Sequence, residues 1–302
     1  MSHHIYIPIL ISTLLSFTSG RSVFNESTPS ILLLPSSVVV GEMSGACPSP
    51  DPSLNYRPII GIVTHPGDGA SGRLSNATNA SYIAASYVKF VESAGARVIP
   101  IIYNEPIEII QKKLNLVNGV LFTGGWSKTG LYFDVIEEVF NQVLKKNDAG
   151  EHFPLLAICL GFELVTMIVS KNNNILEAFS ASDQASTLQF MNNINIEETM
   201  FQRFPSELVA KLSTECLVMQ NHKKNAFEWG SSVIPHSDNA IQVTQHVANY
   251  FVSEARKSFN RPPNDEVLKT LIYNYSPTYC GTAGKGYDEV YIFTENEKMA
   301  RL

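Results

Sequence analysis

The sequence predicts an α/β fold, a mostly parallel sheet flanked by helices on both faces. Two observations carry that prediction. Between residues 57 and 158, short apolar runs alternate with helical patterns at the spacing of strand–helix–strand units. Two of these runs end in glycine-marked turns, Thr123-Gly124-Gly125 and Cys159-Leu160-Gly161. Ligand sites in such sheets lie beyond the carboxyl ends of strands, where both turns fall.

The elements follow in order. Arg57-Pro-Ile-Ile-Gly-Ile-Val-Thr-His65 reads as a buried first strand. A loop rich in Gly, Ser and Asn comes next, and Ser81 to Ala94 carries a helical pattern that stops at Gly95. Ala96-Arg-Val-Ile-Pro-Ile-Ile102 is the second strand and Pro106 to Leu116 a helix. Gly119-Val-Leu-Phe-Thr123 is the third strand, and Tyr132 to Asn147 a long helix. Phe153 to Ile158 is the strand that delivers Cys159, after which the pattern turns helical. A further helical pattern runs from Asn239 to Lys257, and the aromatic, turn-prone Tyr273 to Tyr279 is expected to pack against the domain.

Ahead of the domain, residues 1–20 are expected to be a signal peptide. Ile5 to Phe17 is an apolar core too short to span a bilayer comfortably, and Thr18-Ser-Gly20 is a small-residue cleavage site, although His3 and His4 make a weak basic start. Residues 21–56, rich in Pro and Ser, read as a pro-region or flexible lead-in, and 57–302 as the domain. Sequons at Asn25, Asn76 and Asn79 fit a secretory route, which sets the expected location as vacuole or extracellular space. Asn274-Tyr-Ser276 is a poor acceptor because Pro277 follows it. No later window is apolar enough for a membrane.

Composition excludes other classes. A net charge of -6 argues against nucleic acid as a partner. The four cysteines, Cys47, Cys159, Cys216 and Cys280, lie too far apart for a disulfide scaffold, and at most one pair remains if Cys159 is a free nucleophile. No Cys or His spacing resembles a metal site, so neither metal nor cofactor is expected.

The chemistry centres on Phe153-Pro-Leu-Leu-Ala-Ile-Cys159-Leu-Gly161-Phe-Glu163. A cysteine at a strand-to-helix turn sits at the positive end of a helix, where a thiolate is favoured and backbone N–H groups can stabilise an oxyanion. Glycines at the end of a buried strand let the backbone approach a substrate carbonyl closely. Gly124 and Gly125, with the N–H of Leu160, therefore make an expected oxyanion hole for acyl transfer from Cys159. The plainer readings are a cysteine serving as a small core residue and a glycine pair serving as a turn.

Five segments occur in order and together resemble the folate gamma-glutamyl hydrolases (peptidase C26), with a C-terminal half most like plant members. They are Arg57-Pro-Ile-Ile-Gly-Ile, Asn118-Gly-Val-Leu-Phe-Thr-Gly-Gly125, Ile158-Cys-Leu-Gly-Phe-Glu163, Met219-Gln-Asn-His222 and Lys224-Asn-Ala-Phe-Glu-Trp229. The resemblance implies a fold like that of the class I glutamine amidotransferases and flavodoxin. It implies a cysteine nucleophile that cleaves gamma-linked glutamates from folate and antifolate polyglutamates. By this match Cys159 is the nucleophile, Gly124-Gly125 the oxyanion loop, Glu163 a cleft-lining acid and His222 a second histidine of the cleft. Ala157 stands where the family's elbow usually has glycine.

One departure is large. In the family, the segment matching Met219 to His222 is followed by several tens of residues that hold further strands, the catalytic histidine and a glutamate. Here the chain passes directly from Lys223 to Lys224, so that part of the sheet and the general base have no matching position. His222 is the one substitute base expected, and activity is expected to be low, since losing a base commonly costs orders of magnitude. Two explanations compete: a splice form or mispredicted gene model of an active hydrolase, which is favoured, or a catalytically impaired paralogue that binds polyglutamates or pairs with an active subunit. A homodimer stays open. Among the other histidines, His65 ends the first strand, His152 precedes the nucleophile strand, His236 follows the junction, and His246 is expected on a helix surface. Arg73 and Arg203 are candidates for binding the substrate's carboxylates, against the plainer reading of solvated charges.

Overall fold

Every side chain of the first strand, Ile59–Val63 (β1), is buried. Its odd and even positions serve two different cores. A computed structural model describes residues 49–180, 184–191, 195–220, 225–281 and 286–294. The expected signal peptide, Asn25, Cys47 and His222 lie outside the described residues.

In chain order, β1 is followed by β2 (His65–Pro66), β3 (Ser81–Ala84), α1 (Ala85–Ser93), β4 (Arg97–Ile101), α2 (Ile107–Leu114), β5 (Gly119–Phe122) and α3 (Leu131–Asp148). Then come β6 (Leu155–Ala157), α4 (Leu160–Ser170), β7 (Gln184–Ser186), α5 (Ser206–Thr214), β8 (Val218–Gln220), α6 (Asp238–Ala255), α7 (Asn264–Thr270), β9 (Thr278–Tyr279) and β10 (Glu289–Phe293). Strands β4-β1-β5-β6 form a parallel sheet in that order. All four precede Cys159, and no later strand joins them among the described residues.

Helices cover both faces, as the alternating pattern predicts. Ile60, Ile62, Val98, Leu121 and Leu156 pack with α1 and α6, while Ile59, Val63, Ile99, Ile101, Val120 and Phe122 pack with α2, α3 and α4. Burying one such side chain stabilises the fold by about 1.5–3 kcal/mol relative to leaving it exposed, so this sandwich is the main source of rigidity beneath the site. Helix α3 carries Asp134 in its first turn and Lys145 and Lys146 in its last, a distribution that complements the helix dipole.

The helical pattern from Ser81 is only partly realised. Ser81–Ala84 is a strand, and the helix begins at Ala85. The reason lies far along the chain: β10 returns to pair antiparallel with β3, Ile83 opposite Tyr291. Strands β2-β3-β10-β9 form this second sheet, and β7 pairs with β8 in a third. Of the aromatic segment 273–279, Tyr275 packs on Phe293 with ring centroids 4.8 Å apart, whereas Tyr273 and Tyr279 are exposed.

The domain also holds residues just before its first strand. Buried Asn118 accepts hydrogen bonds from Asn55 Nδ2 (3.2 Å) and the Ile59 N–H (2.9 Å), and its own amide donates to Ser258 Oγ and the Asn260 carbonyl. Arg256 completes the tie by donating to the carbonyls of Asn55, Ala94 and Gly95.

Candidate active site

Cys159 is held in a conformation that a non-glycine residue seldom adopts, φ 53° and ψ -114°. Such a residue costs on the order of 1–3 kcal/mol, and it persists only where its surroundings enforce it. Here β5 does so. The Ile158 N–H donates to the Phe122 carbonyl at 3.0 Å, and the Gly161 N–H donates to the Thr123 carbonyl at 3.1 Å. Both sides of the elbow are thereby fastened to the adjacent strand. Gly161 permits the contact, because a Cβ there would lie 2.7 Å from both Phe122 Cβ and the Phe122 carbonyl oxygen. The result is a partly exposed cysteine as N-cap of α4, beside first-turn amides that the helix leaves without intrahelical acceptors.

The loop that follows β5 comes to the same place. The Gly124 N–H donates to the Tyr87 hydroxyl at 2.9 Å. The amides of Trp126 and Ser127 both donate to His65 Nε2, at 3.0 and 3.2 Å. His65 Nδ1 lies 2.9 Å from the Pro66 carbonyl, which only accepts, so the proton sits on Nδ1 and Nε2 is the acceptor. Gly125 is required for close approach: a Cβ there would lie 2.2 Å from the His65 ring. Lys128 closes the loop onto α4 through a 2.8 Å ion pair with Glu163.

These bonds divide the expected oxyanion donors. Gly124 uses its N–H on Tyr87, while the amides of Gly125 and Leu160 make no hydrogen bond among the described residues. Tyr87 is fully buried, and that burial, followed by the negative charge of a Cys159 thiolate, pushes its hydroxyl well above the ordinary tyrosine range. Tyr82 is pushed up to about 12, mainly by burial, with Cys159 a lesser contributor. Both stay protonated phenols within electrostatic reach of the cysteine.

Residues 58–201 match the model of the Peptidase C26 family. The chain is 54% identical to Gamma-glutamyl hydrolase 1 of Arabidopsis thaliana over 93% of its own length and 95% of the relative's. It is 51% identical to Gamma-glutamyl hydrolase of Glycine max, over 83% of this chain and 88% of that one. This chain belongs to the gamma-glutamyl hydrolase family. Its match to Gamma-glutamyl hydrolase 2 of Arabidopsis thaliana, 52% identical over 99% of this chain and 100% of the relative, runs over 350 residues. That exceeds this chain's 302, so part of the relative has no counterpart here.

Within this family member, the structure gathers Cys159, Gly124, Gly125, Leu160 and Glu163 around one elbow. Arg73 is used elsewhere: its guanidinium donates to the Tyr279 carbonyl, tying the loop after β2 to β9. Arg203 donates to Ser253 on α6 and lies 3.8 Å from Glu254. Asn76 and Asn79 are exposed on the loop between β2 and β3. Cys159, Cys216 and Cys280 form no disulfide with one another. Among the described residues, no cluster of His, Cys, Asp and Glu could hold a metal ion, and no helix is long and apolar enough to cross a membrane.

Each of the four described histidines is in contact with a neighbouring side chain, but the buried Nε2 of His236 has no hydrogen-bond partner among the described residues. His65 serves the loop, His152 pairs with Glu254 at 3.1 Å, and His236 stacks under Trp229 with centroids 4.3 Å apart. His246 departs from its expected place on the helix surface: it is half-buried against Phe204, centroids 5.0 Å apart. The reason is that the segment leading into α5 folds back over α6, which the pattern of α6 alone does not reveal.

Sequence reasoning missed Tyr87 and Lys128 and left His65 without a role. A buried tyrosine in a helical run carries no local sign that its hydroxyl reaches another loop. His65, immediately before Pro66-Gly67, was the one visible signal, a polar ring ending an apolar strand.

Proposed function

We propose that this chain hydrolyses gamma-glutamyl bonds of folate and antifolate polyglutamates by covalent catalysis at Cys159. Cys159 Sγ attacks the γ-carbonyl carbon, and the Gly125 and Leu160 amides receive the oxyanion. Collapse breaks the C–N bond, the departing amine takes a proton, and water hydrolyses the thioester. No metal or cofactor takes part. His222 is the proposed base and leaving-group acid. The observation that supports this reading best is the positive φ of Cys159 at the start of α4, beside a loop, tied to that helix by Lys128–Glu163, whose Gly125 amide no described group uses.

A second reading is a pseudoenzyme that binds polyglutamates or pairs with an active subunit. It is favoured by the engagement of His65 and His152 with groups other than Cys159 and by the part of Gamma-glutamyl hydrolase 2 that has no counterpart here. We place that missing part at the Lys223–Lys224 junction. The chain acts in the secretory pathway, in vacuole or extracellular space, after removal of residues 1–20 and with Asn25, Asn76 and Asn79 as glycosylation sites.

The test is hydrolysis of a folate polyglutamate by the chain from Arg21 onward, beside Cys159→Ala and His222→Ala. Turnover lost in both variants supports the reading. A folded chain that binds the polyglutamate without turnover, and forms no covalent adduct with a γ-glutamyl electrophile, overturns it in favour of the pseudoenzyme.

A further inference from the structure

We propose that His65 and Tyr87 are positioning residues that hold the Gly124–Gly125 peptide with its N–H directed at the reacting carbonyl. The inference rests on the acyl-transfer reading above and says what makes its oxyanion site pre-formed.

Two adjacent glycines leave this loop with little intrinsic preference, so a rotation of the 124–125 peptide would exchange the Gly125 N–H for the Gly124 carbonyl with small backbone resistance. An oxyanion hole containing a carbonyl stabilises nothing. Contacts from outside the loop oppose that rotation. On one side the Gly124 N–H is tied to the Tyr87 hydroxyl, 2.9 Å away. On the other, the Trp126 and Ser127 amides share His65 Nε2 at 3.0 and 3.2 Å. Between the ties, Gly125 rests on the imidazole so closely that a methyl group would lie 2.2 Å from Cδ2. Three of the four amides in 124–127 are thus spent on two side chains, and the Gly125 amide is left for substrate.

The two side chains are themselves fixed. His65 is fully buried, its Nδ1–H donates to Pro66, and its ring meets those of Tyr82, Trp126 and Tyr132 at 5.4, 5.2 and 5.1 Å. Tyr87 is buried in α1, which follows directly on β3, itself held by pairing with β10. Its hydroxyl stays an uncharged acceptor. The tautomer of His65 matters for the same reason, since an Nε2 that carried a proton could accept from neither amide.

The experiment measures reversible addition of Cys159 to an N-acylated glutamate γ-aldehyde. Sulfur bonds to the aldehyde carbon, the C=O π pair moves to oxygen, and the thiol proton ends on that oxygen or in solvent. The hemithioacetal reports the oxyanion site without needing a general base to complete turnover. Its affinity is read from protection of Cys159 against iodoacetamide, whose own alkylation makes no oxyanion. Amide hydrogen exchange of residues 124–127 is followed in parallel.

His65→Phe and Tyr87→Phe are each expected to weaken the aldehyde about 10- to 100-fold, less than outright loss of a donor, while the alkylation rate without aldehyde moves less than about threefold. His65→Phe is expected to speed exchange of the Trp126 and Ser127 amides about tenfold. His65→Gln, whose Oε1 can occupy the place of Nε2, is expected to restore both readouts. Aldehyde affinity unchanged in His65→Phe and Tyr87→Phe overturns the proposal, as does a His65→Gln protein as weak as His65→Phe. If the unaltered protein forms no aldehyde adduct, the acyl-transfer reading fails by itself. Exchange then decides the clamp, and equal exchange rates in the unaltered protein, His65→Phe and Tyr87→Phe overturn it.

Discussion

Lys128 Nζ meets Glu163 Oε2 at 2.8 Å, joining the loop that carries Gly125 to the first turn of the helix that Cys159 caps. Lys128 is exposed and Glu163 about one-third exposed, so the pair contributes only about 0–1 kcal/mol to stability. Its interest is its place. In the proposed reaction, a polyanionic glutamate tail entering beside Cys159 would meet an ammonium group whose present partner is a single, half-buried carboxylate. Lys128→Met is therefore expected to weaken binding of a folate polyglutamate to the Cys159→Ala protein about tenfold at low salt, with the difference shrinking as salt rises. Equilibrium dialysis at two salt concentrations checks this, and an unchanged affinity refutes it.

Gly161 touches a neighbouring strand where no side chain fits. Gly161→Ala would set a methyl group 2.7 Å from the Phe122 carbonyl oxygen and Cβ, and backbone cannot retreat as a flexible side chain can. A loss of about 1–3 kcal/mol is expected in urea denaturation, together with slower alkylation of Cys159 as the elbow opens. Unchanged stability would mean that the strand contact is not what enforces the elbow.

Asn118 joins four partners from residues 55, 59, 258 and 260. Asn118→Ala leaves several buried groups unsatisfied, each costing about 1–3 kcal/mol. The expected result is a marked fall in melting temperature and new proteolytic cleavage ahead of β1. Cleavage resistance equal to that of the unaltered protein would count against this anchoring role.

His246 adds an acid-sensitive element. Burial against the segment leading into α5 holds its pKa below the ordinary 6.5. Between that ordinary value and its lower folded value, the unfolded chain binds more protons than the folded one, so stability falls as pH falls through this window. His246→Phe is expected to flatten the pH dependence of stability below pH 6.5 while leaving stability at pH 8 little changed. Parallel denaturant titrations at pH 5 and pH 8 measure the difference, and identical slopes with pH would refute it.

The parallel sheet was readable because its signals are local. β1, β4, β5 and β6 are short apolar runs, the helices α2 and α3 sit close to their predicted bounds, and Cys159-Leu160-Gly161 marks its own turn. The extended state of Ser81–Ala84 was not readable, since Ser-Tyr-Ile-Ala suits a helix until β10 supplies a partner from the other end of the chain. Nor was the exposure of Tyr273 and Tyr279, or the covered face of His246.

The sequence by itself determined the order of strands and helices, the nucleophile at a strand-to-helix turn, and the glycines on which close backbone approach depends. Each of these is written in neighbouring residues, through periodicity or the lack of a side chain. Tertiary structure alone decided which amides are spent on side chains: the acceptor for Gly124 lies 37 residues away on α1, and that for Trp126 lies 61 residues away at the start of β2. A hydrogen bond of this kind leaves no local pattern, because its geometry exists only after the sheet has brought both ends together.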